Sequence, residues 1–243
     1  MPRERTYFVS DVHLGLDVKD AAGRERRFIR FLRSIPAAET EALYLLGDIW
    51  DFWYEYRDVV PKGYVGVFAA LQELMAAGVK VYFLRGNHDI WSYRYFEELG
   101  MVRLEQPHVT RIGGLTLCLG HGDGLGPVPR RYRFIRSLFH NRVCQALFSA
   151  LHPWIAFRLG EGWSRRSRLA RAGAYVFQGE QEPLWQWAAA FPEPVDLFVF
   201  GHYHCRVDAQ LPSGARFVLL GDWMDASPFA CLSAGNLQQS ELP

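Results

Sequence analysis

The chain has 243 residues, 49% of them hydrophobic and 22% charged, with a formal net charge of +1. That length buries a full core without disulfides, and the composition excludes a disordered chain, a collagen-like chain and a coiled-coil rod. The small net charge argues against a general nucleic-acid binder, and no uncharged apolar run approaches the ~18 residues of a membrane span.

The opening residues, MPRERTYFVSD, lack the apolar centre and small-residue cleavage site of a secretory signal. Cys118, Cys144, Cys205 and Cys231 are widely spaced and form no C-x-x-C pair. They read as reduced core thiols, so a cytoplasmic location is expected. Residues 6–9 form a short β-type run that ends in a polar turn. Residues 24–33 set Phe28, Ile29, Phe31 and Leu32 among arginines, the pattern of an amphipathic helix. Residues 42–46 are an apolar run closed by Gly47, as in a buried strand. Residues 65–75 repeat apolar positions at helical spacing and stop near Gly78, and 79–84 read as another buried strand. Short buried strands separated by helices predict an α/β fold with largely parallel pairing.

Further along, 109–112 and 115–119 flank Gly113-Gly114, a hairpin signal. Segment 130–171 reads as two or three short helices with interleaved aromatics. It carries ten arginines, no lysine and one acid, Glu161, so the rest of the chain is net negative. Residues 174–191 suggest a longer helix, 195–200 a strongly apolar strand, and 216–220 and 229–233 later strands. The expectation is a single domain, 1–243, with a helical insertion at about 128–172 capping the α/β body.

Metal-capable side chains follow these apolar runs. Asp11 and His13 follow the first; Asp48 and Asp51 follow 42–46; Asn87, His88 and Asp89 follow 79–84; His121 and Asp123 follow 115–119; His202 and His204 follow 195–200. Ligand sites of open α/β sheets lie beyond the carboxyl ends of strands, so these side chains can converge. Taken singly, an Asp-x-His, a Gly-Asp turn or a His-x-His is common and means little. Five such elements behind strand signals point to one centre. Asp11, His13, Asp48, Asn87, His121, His202 and His204 offer only oxygen and imidazole nitrogen, which suits Mn²⁺, with Fe or Zn²⁺ as alternatives, rather than a thiolate site. Two cations need a shared carboxylate, and Asp48, central in the series, is the candidate. Glycines before Asp48, Asn87, His121 and His202 are expected to let the backbone turn sharply.

Ser10-Asp11-Val12-His13, Gly47-Asp48-Ile49-Trp50-Asp51, Gly86-Asn87-His88-Asp89, Gly120-His121-Gly122-Asp123 and Gly201-His202-Tyr203-His204 resemble, in order, the five signatures of the calcineurin-like metallophosphoesterases. The resemblance implies a four-layer α/β/β/α sandwich of two packed sheets flanked by helices. It places Asp11, His13, Asp48 and His204 on one metal and Asp48, Asn87, His121 and His202 on a second. It also implies in-line attack on phosphorus by a hydroxide bridging the metals. His88, paired with Asp89, is expected to donate a proton or hydrogen bond to the leaving oxygen.

The reaction class leaves the phosphoester open, and nucleotides or other small esters fit it. Tyr132-Arg133-Phe134-Ile135-Arg136, Gln145-Ala146-Leu147-Phe148, Ala150-Leu151 and Asp51-Phe52-Trp53 are similar to the helical lid and its neighbourhood in the UDP-2,3-diacylglucosamine diphosphatases of lipid A synthesis. That family usually carries Arg where this chain has His88. Guanidinium groups suit pyrophosphate oxygens and the lid's apolar side chains suit acyl chains. Tyr132, Arg133, Arg136, Arg165, Arg166 and Arg168 are therefore the expected substrate contacts. The mixture of cationic and apolar side chains also suits peripheral docking at the inner membrane surface.

Overall fold

The structure, a computed structural model, describes residues 3–169 and 175–242, apart from the side chains of Glu161 and residues 165–169. β1 (Arg5–Val9), α1 (Ala21–Ser34), β2 (Thr40–Leu46), α2 (Val65–Ala76) and β3 (Lys80–Leu84) follow one another as expected. α1 starts where the Asp20 carboxylate accepts from the Gly23 N–H at 2.9 Å. It stops before Pro36, which disfavours helical backbone at Ile35. α2 ends against Gly78, whose φ of +88° supplies the left-handed stop.

α3 (Tyr95–Glu98) and β4 (Val102–Leu104) are too short to leave a periodic signal. β5 (His108–Ile112) and β6 (Leu115–Leu119) form the expected hairpin. The basic segment resolves into three helices, α4 (Arg130–His140), α5 (Arg142–Ser149) and α6 (Pro153–Leu169). The continuous helix expected over 174–191 does not form, and residue 174 itself lies outside the described residues. A single 3-10 turn at Gly179–Gln181 precedes α7 (Pro183–Ala189). Gly179 takes a φ of +61°, and Pro183, having no N–H, opens a helix rather than continuing one. β7 (Leu197–Phe200), β8 (Arg206–Gln210), β9 (Arg216–Leu220), β10 (Pro228–Ser233) and β11 (Asn236–Glu241) complete the chain.

One sheet has the order β11-β10-β1-β2-β3-β4 and the other β5-β6-β7-β9-β8. β1 to β4 pair in parallel, as do β6, β7 and β9. β5, β8, β10 and β11 join antiparallel. Alternation along the strands divides the core. Tyr7 and Val9 of β1 pack with Phe28, Phe31 and Leu71 of α1 and α2. Phe8, between them in sequence, faces Leu117, Leu119, Val199 and Val218 of the other sheet. Phe198, Phe200 and Phe217 turn the opposite way, onto Leu184 and Trp185. The layers therefore run helix, sheet, sheet, helix. Each fully buried Val, Leu or Phe contributes roughly 1.5–3 kcal/mol, so the sheet–sheet core locks the two fans of parallel strands in one register.

All four cysteines are free thiols. Cys118 alone is buried, whereas Cys144, Cys205 and Cys231 are half-buried, short of the core placement expected. Among the described residues, no helix is long and apolar enough to cross a membrane.

Candidate metal centre

The loops that leave β1, β2, β3, β6 and β7 meet at one end of the sandwich and stay tied by backbone hydrogen bonds. His13 N–H donates to the Asp48 carbonyl at 3.0 Å, Gly201 N–H to that of His121 at 3.0 Å, and Trp223 N–H to that of Asp11 at 3.1 Å. Asp11, His13, Asp48, His202 and His204 all have φ between +50° and +69°. That left-handed backbone costs a non-glycine residue about 1–3 kcal/mol each and clusters at functional sites. The turns expected at four glycines are thus made largely by the donor residues themselves. Of those glycines only Gly47 takes a positive φ, +85°. Gly86 and Gly201 are required by crowding: a Cβ would stand 2.1 Å from Asp48 Oδ1 at the first and 2.3 Å from Asp11 Oδ2 at the second.

Asp48 occupies the middle. Its Oδ2 lies 3.3 Å from His121 Nε2, 3.8 Å from His13 Nε2 and 4.0 Å from His88 Nε2. Asp11 Oδ1 lies 3.7 Å from His13 Nε2 and 3.6 Å from His204 Nε2. Asn87 Oδ1 stands 3.3 Å from His121 Nε2, and the His202 ring packs edge-on against that of His121 at 5.1 Å. The structure thus brings all seven sequence-predicted donors together. Asp11, His13, Asp48 and His121 are buried and form the floor. Asn87, His88, His202 and His204 are half-buried and leave one side open to an incoming ligand.

Three of the histidines are aimed by a second contact. The Leu46 carbonyl lies 3.0 Å from His121 Nδ1, the Asp51 carboxylate 3.2 Å from His13 Nδ1, and the Asp222 carboxylate 2.9 Å from His204 Nδ1. All three imidazoles therefore present Nε2 to the centre, the backing typical of metal-bound histidine. Asp222 is a functional residue that the sequence reading missed. Its signal was available, since Gly221-Asp222 follows the strand at 216–220 just as Gly47-Asp48 follows 42–46.

The carboxylates divide their oxygens. Asp11 Oδ2 accepts from His202 N–H at 3.0 Å and Asp48 Oδ1 from His88 N–H at 2.8 Å. Asp11 Oδ1 and Asp48 Oδ2 remain buried without a hydrogen-bond donor among the described residues. A buried polar atom left unsatisfied costs about 1–3 kcal/mol, more when charged. The 3.3–3.8 Å gaps between donors exceed good hydrogen bonds and match ligands each about 2.0–2.2 Å from a shared ion. Burial alone would raise the pKa of Asp11, yet the His13 contact and the charges of His121 and His204 hold it well below the usual range. Asp48 is likewise held low against burial, chiefly by His121 and His88. Burial, then repulsion from His121, pushes His202 down to about 4. Ionised carboxylates, a neutral imidazole and donorless oxygens fit divalent cations, and the donors Asp11, His13 and His204 on one side and Asp11, Asp48 and His121 on the other form compact ligand groups.

His88 and Asp89, adjacent in sequence, point to different partners. His88 Nδ1 lies 2.8 Å from the Asp51 carbonyl oxygen. The Asp89 carboxylate accepts from Gly86 N–H at 2.7 Å and Ile49 N–H at 2.9 Å, so it braces the donor loops instead of pairing with His88 as expected. Burial, with the Asp48 charge nearby, pushes Asp89 up to about 6.

Polar contacts tie the helical insertion to this end of the body. The Asp123 carboxylate, two residues past His121, accepts from Arg136 Nε at 3.0 Å, from the Tyr132 hydroxyl at 3.3 Å and from Gln106 Nε2 at 2.8 Å. Two of the expected substrate contacts, Tyr132 and Arg136, therefore latch α4 to the donor loop, while Arg133 is exposed on the same helix. The side chains of Arg165, Arg166 and Arg168 lie outside the described residues. The hydroxyl of Tyr54 donates to the Gln145 carbonyl at 2.8 Å and Trp91 Nε1 to that of Phe139 at 2.9 Å.

Known proteins with related sequences agree with this geometry. The family described as calcineurin-like phosphoesterase matches residues 4–206. A protein named UDP-2,3-diacylglucosamine hydrolase from Porphyromonas gingivalis is 36% identical over 94% of this chain and 94% of its own. Proteins of the same name from Shewanella piezotolerans and Yersinia pseudotuberculosis are 25% and 29% identical, each across 98% of this chain, covering 98% and 99% of their own. The matched span runs through the loops that carry all seven donors, and the chain belongs to the calcineurin-like phosphoesterases, a family of metal-dependent hydrolases.

Proposed function

We propose that the chain hydrolyses the pyrophosphate link of UDP-2,3-diacylglucosamine, releasing UMP and 2,3-diacylglucosamine 1-phosphate, a step of lipid A synthesis. The observation that carries this reading is the alignment of relatives bearing that substrate's name along nearly the whole chain. Asp11, His13, Asp48 and His204 would hold one cation and Asp48, Asn87, His121 and His202 the other, with Mn²⁺ first and Fe or Zn²⁺ as alternatives. When bound, the cations supply a water nucleophile at neutral pH and offset charge on the phosphoryl oxygens. His88 Nε2, on the Asp48 side of its ring, faces the leaving oxygen and gives it a hydrogen bond or proton. Asp89 serves by bracing the loop that carries Asn87 and His88.

Tyr132, Arg133 and Arg136, together with Arg165, Arg166 and Arg168, are the residues we assign to the diphosphate and sugar on the chemistry of their side chains. Phe134, Leu147, Trp154, Leu159 and Trp163 are exposed large apolar side chains on α4 to α6. With the neighbouring arginines they suit acyl chains and an anionic lipid surface, placing the enzyme at the cytoplasmic face of the inner membrane.

Purified protein with Mn²⁺ should convert UDP-2,3-diacylglucosamine to UMP and the lipid phosphate, resolved by chromatography, and should turn over the unacylated UDP-sugar far more slowly. Equal rates on the two, or on simple nucleotide esters, would replace this reading with a phosphodiesterase or phosphomonoesterase of small substrates. His88, where the diphosphatases usually carry Arg, is the feature that favours that second reading.

A further inference from the structure

Ser164 lies on the face of α6 that the body covers. Ala156, Gly160 and Ser164 recur every four residues and so share one side of the helix, and Ala156 and Ser164 are both buried. A Cβ on Gly160 would stand 2.2 Å from the Phe52 ring, so only a helix with small residues here can approach the loop after β2 this closely. The approach brings Ser164 Oγ to 3.2 Å from His88 Nδ1. A buried hydroxyl without a partner costs about 1–3 kcal/mol, and this contact satisfies it.

The same nitrogen lies 2.8 Å from the Asp51 carbonyl oxygen. A carbonyl only accepts, so Nδ1 bears the hydrogen, and Ser164 Oγ takes a share of it in a three-centred bond. The ring of His13 packs edge-on against His88 at 5.0 Å, and Nε2 is left facing Asp48 Oδ2 at 4.0 Å. We propose that Ser164 is a positioning residue: together with the Asp51 carbonyl it fixes the Nδ1–H tautomer and the ring orientation of His88. The aim of Nε2 toward the metal centre then depends on α6 being docked. The inference rests on the reading of His88 as the group that faces the leaving oxygen, and it does not depend on which phosphoester is hydrolysed.

The test uses full-length protein labelled with ¹⁵N-histidine and loaded with Zn²⁺, with the His88 resonances assigned through His88→Ala. Long-range ¹H–¹⁵N spectra should show the Nδ1–H tautomer in the unaltered protein and in Ser164→Thr. In Ser164→Ala the His88 signals should shift or broaden as the ring loses its fixed orientation. With Mn²⁺ and bis(p-nitrophenyl) phosphate, Ser164→Ala should lower kcat about tenfold with KM changed by less than about twofold, and Ser164→Thr should restore the rate. Added to His88→Ala, the Ser164→Ala change should cost nothing more. His88 signals identical in Ser164→Ala and the unaltered protein, or rate losses that multiply in the double variant, would overturn the assignment. If the unaltered protein failed to hydrolyse the diester, the same rate comparison would be made on UDP-2,3-diacylglucosamine, and the spectra would still decide the role of Ser164.

Discussion

In the donor loops behind β1, β2 and β6, the donor side chains are buried and nearly every one is oriented by a backbone group or a second side chain. In α4 and α5 no residue is buried, and Phe134 and Leu147 are 63% and 68% exposed. The loops reach chemical precision by confining charge: left-handed donor residues, glycines pressed against carboxylates, and imidazoles aimed from behind. The insertion leaves apolar area uncovered and meets the loops through polar contacts at Asp123 and His88 and through rings such as Tyr54 and Trp91 against Phe148. A change in the loops should therefore act on metal and rate, and a change in the insertion on ligand and surface.

Asp48→Ala strikes the loops hardest. Losing the central carboxylate removes several kcal/mol of stabilisation, roughly a 10³-fold fall in kcat, and elemental analysis should show at least one metal equivalent gone. His121→Ala should also lose one metal equivalent. Intact metal content and rate in either variant would break the comparison at its root. Gly86→Ala should lower stability by about 1–3 kcal/mol through overpacking against Asp48, read as a fall in Tm of roughly 2–4 °C per kcal/mol. Asp222→Ala should cost about 10–100-fold in metal affinity or rate, because His204 loses the group that aims it.

Changes in the insertion should be milder and of another kind. Arg136→Ala removes a charged hydrogen bond to Asp123, worth about 1.5–3 kcal/mol. It should raise KM by roughly tenfold, leave metal content unchanged, and speed proteolytic cutting within 130–169. A metal loss there would show that the latch also shapes the donor loop. The smallest expected effect on the fold is that of Trp154→Ser and Trp163→Ser, within about ±0.5 kcal/mol by thermal unfolding. The same pair should abolish flotation with anionic vesicles. A large drop in Tm would mean those rings belong to a packed core.

The donors were legible in the chain because each follows a short apolar run, and apolar runs of that length are the clearest strand signal there is. β8 and β11 escaped notice because, at sheet edges, they carry exposed polar residues such as Arg206 and Gln238. The helix expected over 174–191 failed at Gly179 and Pro183, where backbone chemistry overrides apolar spacing. Asp222 obeyed the same grammar as Asp48 and was overlooked. Ser164 had no grammar to obey, since a serine among arginines reads as solvent-facing until the helix is placed.

Residue order alone determined the chemical type of the centre, the strands that deliver it and the α/β class of the fold, because ligand identity and hydrophobic period are local properties. Tertiary structure decided the rest. It showed which oxygen of each carboxylate stays free for a cation, which carbonyl or carboxylate aims each imidazole, and that Asp89 braces backbone while Asp51 and Ser164 hold His88. The longest of those relations, Asp11 with His202, joins residues 191 positions apart on different sheets, and such a distance is closed only when the two sheets pack face to face.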